Sequence, residues 1–251
     1  AMLITSRNNP FVRRVFSLRE KKYRREYGEY FVEGVKQVRE AFAGGAEVRE
    51  VVAAESYSGE IFSEEKLTRV SDSVFEKLSD EPSPQGILAV LALPETEAAP
   101  PAGRSLLLDG IADPGNLGTI LRTANAAGYE DIYLRACADP FAPRCVRAAM
   151  SGVFFVRLHT GTDAQLSAVL SGVPLICADM EGEDVFSFSA PEKFCLVIGN
   201  EGSGVTQEVR AACSYTVRIP MRESCESLNA AVSAGILMYE LCRGRAFPPV
   251  G

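Results

Sequence analysis

The sequence has little of what metal centres, disulfide frameworks and membrane spans require. It contains one histidine and seven cysteines, and no two cysteines form a CxxC pair. These counts argue against a structural zinc site and, since the first residues carry no secretory signal, against a disulfide framework. The longest apolar run, Ile87–Leu93, is far shorter than the roughly 20 residues that span a bilayer. We therefore expect a cytoplasmic protein without a metal ion and without a membrane partner.

Three familiar sequence motifs are also absent. The G-x-S-x-G elbow of a serine hydrolase does not occur. Gly110, Gly115 and Gly118 are five and three residues apart, so they do not match the G-x-G-x-x-G of a dinucleotide-binding loop. No Gly-Lys-Ser/Thr follows them, which argues against a P-loop. A nucleotide-dependent oxidoreductase is therefore disfavoured, and the lone His159, near a predicted strand end, is expected to be a structural or surface residue.

Positive charge is concentrated near the start of an acidic chain. The net charge is −7, yet residues 7–25 hold eight arginines and lysines against one glutamate. Such a segment is typical of a local phosphate contact, although a solvated helix face explains the charge equally well. The candidate nucleic-acid contacts are Arg7, Arg13, Arg14, Lys21, Lys22, Arg24 and Arg25.

A proline-containing break divides the chain. Pro94–Arg104 holds three prolines and no apolar periodicity, so we place a linker at residues 95–104. Before it, residues 1–94 predict a small α/β domain. An amphipathic helix covers the basic segment, and a short helix at residues 71–80 is capped by Ser71 or Asp72.

After the linker, residues 105–251 alternate between short apolar strands and helices. One of the six predicted strands covers residues 152–158. Short runs rich in valine, isoleucine and leucine favour a parallel sheet covered on both faces. The predicted fold class is therefore α/β, with a parallel-sheet domain preceded by a small α/β domain.

The first chemically informative stretch is DPGNLGTILRTANAAG, residues 113–128, a loop that opens a helix. We expect Asn116 to cap the start of this helix. Arg122 lies further along, and because helical side chains lean toward the N-terminus, its guanidinium is predicted to project toward the loop. The alternative is an arginine in a surface ion pair on an ordinary capped helix.

The second stretch is LVIGNEGSGV, residues 196–205, a buried strand that ends in an acidic, glycine-rich loop. Gly199, Gly202 and Gly204 would let a ligand approach the backbone closely. Glu201 repels phosphate and suits a cationic or hydroxyl-bearing ligand better. A tight turn that needs positive φ explains the glycines equally well.

The third stretch is IPMRESCESLNAAVSAGILMYE, residues 219–240. A strand end and a polar loop lead into a helix that Ser227 is expected to cap. Its small residues allow close approach of another backbone at a tight core or a subunit contact, although a buried helix is the simpler explanation. All three stretches are predicted at the carboxyl ends of strands, where open α/β sheets bind ligands.

These three motifs, in this order, resemble those of the SpoU-type RNA ribose methyltransferases of the SPOUT superfamily. The segment DPFAPRCVRAAMSGVFFV, residues 139–156, is similar to the one between the family's first two motifs, and the resemblance covers Leu106–Arg243. The basic N-terminal part is more loosely similar to a small substrate-binding domain. The resemblance implies a C-terminal trefoil knot, a homodimer, S-adenosylmethionine as methyl donor, and a ribose 2′-hydroxyl of rRNA or tRNA as acceptor.

The resemblance also implies roles for individual residues. Asn116 and Arg122 correspond to the catalytic pair, in which the arginine is described as the base. Because a guanidinium stays protonated in proteins, we expect Arg122 instead to hold a phosphate and to stabilise the developing 2′-oxyanion. A protein of the same fold that binds RNA without turnover is the alternative function. The expected cofactor-binding residues are Gly199, Asn200, Glu201, Gly202, Ile219, Met221, Ser227, Leu228 and Asn229.

Overall fold

Residues 3–246 are described by a computed structural model, and in this range the chain forms ten helices and ten strands. The helices are α1 (Pro10–Ser17), α2 (Lys21–Tyr27), α3 (Val35–Ala43), α4 (Asp72–Leu78), α5 (Pro114–Ala126), α6 (Pro143–Ala149), α7 (Gly152–Phe155), α8 (Asp163–Val169), α9 (Gln207–Ala211) and α10 (Ala230–Leu241). The strands are β1 (Glu29–Glu33), β2 (Val48–Ala54), β3 (Leu67–Val70), β4 (Ile87–Ala92), β5 (Arg104–Asp109), β6 (Tyr129–Arg135), β7 (Arg157–His159), β8 (Leu175–Asp184), β9 (Cys195–Gly199) and β10 (Tyr215–Arg218). Between residues 3 and 246, none of the helices has the length and apolar character that crossing a bilayer requires.

The chain divides into two compact units, and the first unit is not continuous in sequence. It contains the residues up to Glu95 together with Asp139–Phe154, whereas the second contains Thr96–Ala138 and the residues from Phe155 onward. The predicted domains, 1–94 and 105–251, differ from this division in the segment Asp139–Phe154. That segment joins the first unit because α6 packs against β1 and because the Asp139 carboxylate pairs with Arg24 at 2.8 Å.

The first unit is built on a four-stranded sheet in the order β1-β4-β2-β3. Strands β1 and β2 run antiparallel to β4, and β3 runs parallel to β2. Helices α1 and α4 supply Val15 and Val74 to the core on one side of the sheet, where they meet Leu88 and Val90 of β4. Ile87 and Ala89 of the same strand are also fully buried, and they point to the opposite face. Both faces of β4 are therefore covered.

The basic segment folds as two helices, α1 and α2, rather than as the single helix predicted. Helix α1 ends at Ser17, and Leu18 is its C-cap. The Arg24 guanidinium reaches back and donates to the carbonyls of Leu18 and Arg19 at 2.8 and 2.7 Å. These two bonds satisfy carbonyl groups that the break between the helices leaves without helical partners.

Two other local predictions are wrong. The Ser71 hydroxyl makes no capping bond to α4, and the Asp72 carboxylate instead accepts from the N–H and the hydroxyl of Ser56 at 3.0 and 2.8 Å. The strand predicted over residues 152–158 is the short helix Gly152–Phe155 followed by a strand that begins only at Arg157. The apolar run was long enough for either structure, and periodicity alone does not separate the two.

The segment predicted as a linker is bonded to the second unit. The Thr96 carbonyl accepts from the Thr160 N–H at 2.7 Å, and the Ala99 carbonyl accepts from the Tyr133 hydroxyl at 2.6 Å. The Ala102 N–H donates to the Asp131 carboxylate at 2.9 Å. Its prolines and alanines therefore form an ordered strap on the sheet rather than a free connection.

The second unit is a six-stranded, all-parallel sheet in the order β10-β8-β9-β5-β6-β7. This parallel sheet confirms the predicted fold class. Asp109, the last residue of β5, pairs with Gly199 of β9 on one side and with Arg135 of β6 on the other. Three central strands therefore end level with each other, and the loops that follow them share one edge of the sheet.

Candidate functional site

The loops after β5 and β9 and the loop before α10 meet at the carboxyl edge of the second unit's sheet. The first two begin side by side, because Asp109 and Gly199 are paired. The third follows β10 and leads into α10, which packs against α5. Each of the three sequence motifs therefore follows the carboxyl end of a strand, as predicted.

Helix α5 begins earlier than predicted. Asp113 is its N-cap, and the Asp113 carboxylate accepts from the Asn116 N–H at 2.9 Å. Pro114 follows in the first turn, where the proline nitrogen needs no hydrogen to donate. The prediction that Asn116 caps this helix is wrong, and its side-chain amide is consequently available to other partners.

The Asn116 amide joins the three motifs. Its Nδ2 donates to Glu201 Oε1 at 2.7 Å, and its Oδ1 accepts from Asn229 Nδ2 at 3.0 Å. Glu201 and Asn229 lie 85 and 113 residues further along the chain. Because the amide donates to one motif and accepts from another, it fixes all three loops relative to each other.

Asn229, rather than Ser227, caps helix α10. Its Oδ1 accepts from the N–H groups of Ala231 and Val232 at 2.9 and 3.3 Å. The same side chain donates to Asn116 through its Nδ2. Asn229 therefore ties the start of α10 to the start of α5, whereas Ser227 lies in the loop before the cap, beside a cavity.

The Asn200 side chain closes the loop after β9. Its Nδ2 donates to the Gly110 carbonyl at 2.8 Å, and its Oδ1 accepts from the N–H groups of Gly202 and Ser203 at 2.9 and 3.1 Å. The backbones of Asn200 and Gly204 also exchange two hydrogen bonds. The loop is thus a tight turn, and the Asn200 amide ties it together and to Gly110.

The glycines of this loop serve the turn itself. A Cβ on Gly199 would lie 2.2 Å from the carbonyl carbon of Gly204 and from the nitrogen of Val205. Gly204 has φ +67°, in the left-handed region that favours glycine. Of the two explanations left open by the sequence, the tight turn accounts for both positions without a ligand.

A cavity of about 140 Å³ lies beside these loops. Its wall combines apolar side chains, such as Ile198 and Leu237, with two carboxylates, Asp179 and Glu201. Such a lining suits a flat apolar ring joined to a cationic group. Seven of the nine predicted cofactor-binding residues line it, namely Gly199, Asn200, Glu201, Ile219, Met221, Ser227 and Leu228. Gly202 and Asn229 are outside the lining. The Gly202 N–H donates to Asn200, and the Asn229 amide donates to Asn116.

One wall of this cavity was not predicted from the sequence. Ala178, Asp179 and Met180 line it from a bulge in β8, where the pairing with β10 jumps from Cys177 to Glu183. Asp179 forms an ion pair with Arg210 of α9. The sequence signal was the switch from apolar PLIC to acidic, glycine-containing ADMEGED, which the structure places in one strand, β8.

Arg122 is exposed on α5, two turns after the start of the helix. Within residues 3–246 its guanidinium has neither an ion-pair nor a hydrogen-bond partner. The surface ion pair offered as the alternative is therefore not present in the described part of the chain. An arginine without a partner in the described residues, six positions after Asn116 on the same helix, is available to an anionic ligand.

A larger cavity, of about 570 Å³, lies between α8 and α9 and holds none of the predicted site residues. Across residues 3–246, no group of three histidine, cysteine, aspartate or glutamate side chains is arranged to hold a metal ion. All seven cysteines are free thiols.

The candidate nucleic-acid contacts of the first unit fall into two groups. Arg24 is only 3 % exposed and is held by Leu18, Arg19 and Asp139, so its assignment as an RNA contact is wrong. Arg14 is half-buried and forms an ion pair with Glu29. The remaining five candidates are exposed, and they are Arg7, Arg13, Lys21, Lys22 and Arg25.

His159 is a buried structural residue, as predicted. Its Nε2 lies 2.9 Å from Asp131 Oδ1, and its ring stacks on Tyr133 with centroids 4.6 Å apart. Burial raises the pKa of Asp131, but hydrogen bonds from Arg157, His159 and the Ala102 N–H outweigh that effect and hold the pKa at about 2. This cluster anchors the strap to the sheet and lies apart from the cavity.

Comparison with family models gives two matches that together cover most of the chain. Residues 103–239 match the SpoU rRNA Methylase family. Residues 9–89 match an MRM3-like substrate binding domain.

Similar proteins of known name are RNA methyltransferases. The chain is 30% identical over 254 residues to the 23S rRNA (guanosine(2553)-2'-O)-methyltransferase RlmP of Bacillus subtilis, covering 95% of this chain and 98% of that one. It is also 30% identical over 267 residues to the 23S rRNA (uridine(2479)-2'-O)-methyltransferase of Streptomyces viridochromogenes, covering 98% of this chain and 93% of that one.

Solved structures give the same result. An AdoMet-bound rRNA methyltransferase from Sinorhizobium meliloti superposes with a TM-score of 0.86 at 27% identity, covering 96% of this chain and 97% of that one. The SpoU methyltransferase AviRb from Streptomyces viridochromogenes, in complex with AdoMet, gives a TM-score of 0.83 at 25% identity, covering 94% of this chain and 98% of that one.

Proposed function

The chain belongs to the SpoU rRNA methylase family, and from this premise we propose that it transfers a methyl group from S-adenosylmethionine to a ribose 2′-hydroxyl. The substrate is structured RNA, and ribosomal RNA is favoured over transfer RNA because two similar relatives are named as 23S rRNA methyltransferases. The observation that carries this proposal is the Asn116 junction. A protein that only binds RNA would need neither Asn116 bonded to two distant motifs nor an exposed Arg122 on the same helix.

The cavity beside the junction fits the proposed cofactor by its chemistry. The cofactor supplies an activated methyl group on a sulfonium. Ile219, Met221 and Leu228 offer an apolar slot for an adenine ring, and backbone groups near Gly199 can bond its edge. Glu201 supplies a carboxylate in the lining that can stabilise a cationic group, whereas the Asp179 carboxylate is paired with Arg210.

Arg122 acts on the RNA side in this proposal. Its guanidinium holds the phosphate next to the target ribose through two parallel hydrogen bonds, and it stabilises the 2′-oxygen as negative charge develops there. Methyl transfer is an in-line displacement, in which the 2′-oxygen would gain the methyl group as the carbon–sulfur bond of the donor breaks and the hydroxyl proton passes to solvent. Alignment of the 2′-oxygen therefore supplies much of the acceleration. The Asn116 junction keeps Arg122 and the cavity wall in a fixed relation.

The exposed cations of the first unit also contact RNA in this proposal. Arg13, Lys21, Lys22 and Arg25 are exposed on α1 and α2, and this unit matches a substrate-binding domain. Lysine and arginine that face solvent can displace counterions from the RNA backbone, which gives affinity without sequence information.

We also propose a homodimer formed through the second unit. Helix α10 exposes Val232 and Tyr239, two turns apart on one stripe, at 52% and 47% of their surface. A paired apolar stripe of this kind is typical of a subunit contact. Sedimentation or light scattering should give twice the chain mass, and Val232→Arg should shift the protein toward the monomer. A monomeric wild-type protein would contradict this.

A C-terminal trefoil knot and a cytoplasmic location remain proposals that rest on membership of the family. A knot requires the chain end to pass through a loop during folding. A bulky domain fused to the C-terminus should therefore slow refolding several-fold relative to the same domain fused to the N-terminus. Equal refolding rates for the two fusions would contradict the knot.

The activity itself is tested with labelled S-adenosylmethionine and bulk rRNA or tRNA. Methylation of a 2′-hydroxyl blocks cleavage of the adjacent phosphodiester by alkali, so labelled, alkali-resistant dinucleotides are the expected product. Absence of label across a broad RNA panel, combined with tight RNA binding, would support a non-catalytic RNA-binding protein instead.

Two similar relatives carry names with different targets, one a guanosine and the other a uridine. Both are 30% identical to this chain, so similarity alone does not select the nucleotide. Mapping the methylated position at nucleotide resolution identifies it.

A further inference from the structure

A buried carboxylate at the end of β5 has no role in the site as described above. The side chain of Asp109 is 0% exposed, which is costly for a charged group unless its oxygens are bonded. Its Oδ1 accepts from Arg135 Nη1 at 2.8 Å. Its Oδ2 accepts from the N–H and the hydroxyl of Thr206 at 2.7 and 2.8 Å. The carboxylate thus connects β6 to the end of the loop that follows β9.

Arg135 is held from both sides. Its Nε and Nη2 donate to the two oxygens of Asp163 at 2.9 and 2.8 Å, while Nη1 bonds to Asp109. The hydrogen bonds to Asp163 and Asp109 raise the pKa of Arg135, and the bond from Arg135 lowers the pKa of Asp163. A bidentate contact restricts the guanidinium plane, so Nη1 has one direction in which to meet Asp109.

The loop between β9 and Thr206 carries Glu201, and both of its ends are tied to the end of β5. At its start, Asn200 Nδ2 donates to the carbonyl of Gly110, the neighbour of Asp109. At its end, Thr206 bonds to Asp109 itself. Residues 201–204 between these ties are all exposed, so they lack core packing to fix them. Together with the Asn200–Gly204 backbone bonds and the buried Val205, these two ties therefore set the position of Glu201 against Asn116.

We propose that Asp109, Arg135 and Thr206 are positioning residues for methyl transfer, because they fix the loop that holds Glu201 against Asn116. The inference rests on the proposed function and adds to it the groups that set the geometry of the catalytic junction. Pairing of β5 with β9 ends at Asp109 and Gly199, so the sheet alone does not place the loop beyond that point.

The variant Thr206→Val tests this inference with little change in shape. Valine keeps the backbone N–H bond to Asp109 but lacks the hydroxyl that donates to Asp109 and accepts from Arg135 at 3.1 Å. Thr206→Ser is the matched conservative variant, since serine keeps the hydroxyl. We expect kcat to fall about ten-fold in Thr206→Val, through misalignment of the junction, and to return to near the wild-type value in Thr206→Ser. The KM for RNA should change less than two-fold in both variants, roughly the scatter expected for contacts that are kept.

Amide hydrogen exchange gives a readout that does not depend on activity. In Thr206→Val, exchange at Gly204 and Thr206 should accelerate about ten-fold, as expected for local opening, while exchange at Leu106 and Leu108 of β5 stays unchanged. Arg135→Lys, which keeps the charge but loses the fork, should behave like Thr206→Val. Unchanged kcat in Thr206→Val, or equal losses in the valine and serine variants, would overturn the inference.

The exchange measurement also separates failure of this inference from failure of the proposed function. If the wild-type protein transfers no methyl group to any RNA, the proposed function is wrong. Faster loop exchange in Thr206→Val would then still support the positioning of Glu201 by this carboxylate, whereas unchanged exchange would overturn it as well.

Discussion

The two units use arginine in opposite ways. In the first unit, Arg24 lies in the sequence among cations that look alike, yet it is buried and joins three chain segments. In the second unit, Arg122 is the one charged residue of helix α5, and it is exposed without a partner in the described range. An arginine is therefore available to a ligand only where the fold leaves its guanidinium unbonded. Five variants follow, and they are ordered by their expected effect on methyl transfer.

Arg122→Lys should have the largest effect. Lysine keeps the charge but loses the planar fork, so the contact to phosphate and to the developing oxyanion is no longer bidentate. We expect the single-turnover rate to fall about 100-fold to 1,000-fold, with unchanged affinity for S-adenosylmethionine by calorimetry. Arg243→Lys, the same exchange in a surface ion pair with Glu240, is the control and should keep full activity. A fully active Arg122→Lys enzyme would rule out the bidentate clamp.

Asn116→Asp should have the next largest effect. The carboxylate can still accept from Asn229, but it cannot donate to Glu201 and it adds a like charge beside it. We expect kcat to fall about 10-fold to 100-fold through misplacement of the loop. Asn125→Asp puts the same charge elsewhere on α5 and should retain kcat within a factor of about three. Equal losses in the two variants would show that charge on the helix, rather than the junction, is responsible.

Charge reversal in the first unit should affect RNA affinity but not the chemical step. The triple change of Arg13, Lys21 and Arg25 to glutamate removes exposed cations. The slope of log affinity against log salt should become shallower by about 2 for three lost phosphate contacts, while kcat at saturating RNA stays unchanged. Lys193→Glu in the second unit, also exposed, is the single-site control for Lys21→Glu. An unchanged slope in the triple variant would assign these cations to an ordinary solvated face.

Arg24→Met sharpens the same contrast within the first unit. Removal of the guanidinium leaves Asp139 and two carbonyls without their donor, so stability should fall by about 3 kcal/mol. The salt slope of RNA binding should stay at the wild-type value when measured on the folded protein. A shallower slope with unchanged melting temperature would instead make Arg24 an RNA contact.

Asp131→Asn should leave methyl transfer unchanged and lower stability. Because folding depresses the pKa of Asp131 to about 2, its stabilising effect is fully present above the ordinary aspartate pKa near 4 and is lost as pH falls toward 2. The variant should therefore be less stable than the wild type by about 2 kcal/mol at pH 7, and the difference should shrink between pH 4 and pH 2. Chemical denaturation at several pH values measures it, and a pH-independent difference would contradict the assignment.

The sequence was a good guide to the elements of the second unit and to the edge of the sheet that carries the site. Short apolar runs alternating with amphipathic segments predicted a parallel sheet, and the glycine and polar stretches marked the ends of its strands. The errors lie where two structures share one local pattern. Asn116 and Ser227 are good cap residues, but Asp113 and Asn229 take those positions, and only the fold shows which polar side chain is released for other bonds.

Other features of the site depend on contacts between distant residues, which no local pattern carries. Arg24 is buried because its guanidinium pairs with Asp139, which lies 115 residues away in the sequence. The wall of Ala178–Met180 exists because β8 bulges against β10, where a Cβ on Gly182 would lie 2.5 Å from the Val217 nitrogen. The strand Leu67–Val70 escaped prediction because it is short and only half-buried.

The discontinuous first unit also sets an order of events during synthesis. A ribosome releases the chain from its N-terminus, so when residue 95 emerges, the unit still lacks α6 and Asp139. Until they arrive, the Arg24 guanidinium has no carboxylate to meet at its buried position. By the time Phe154 has been made, β5 and β6 of the second unit have already been translated. The first unit therefore completes its core only after translation of the second unit has begun. A ribosome that stalls in this interval would leave both units incomplete.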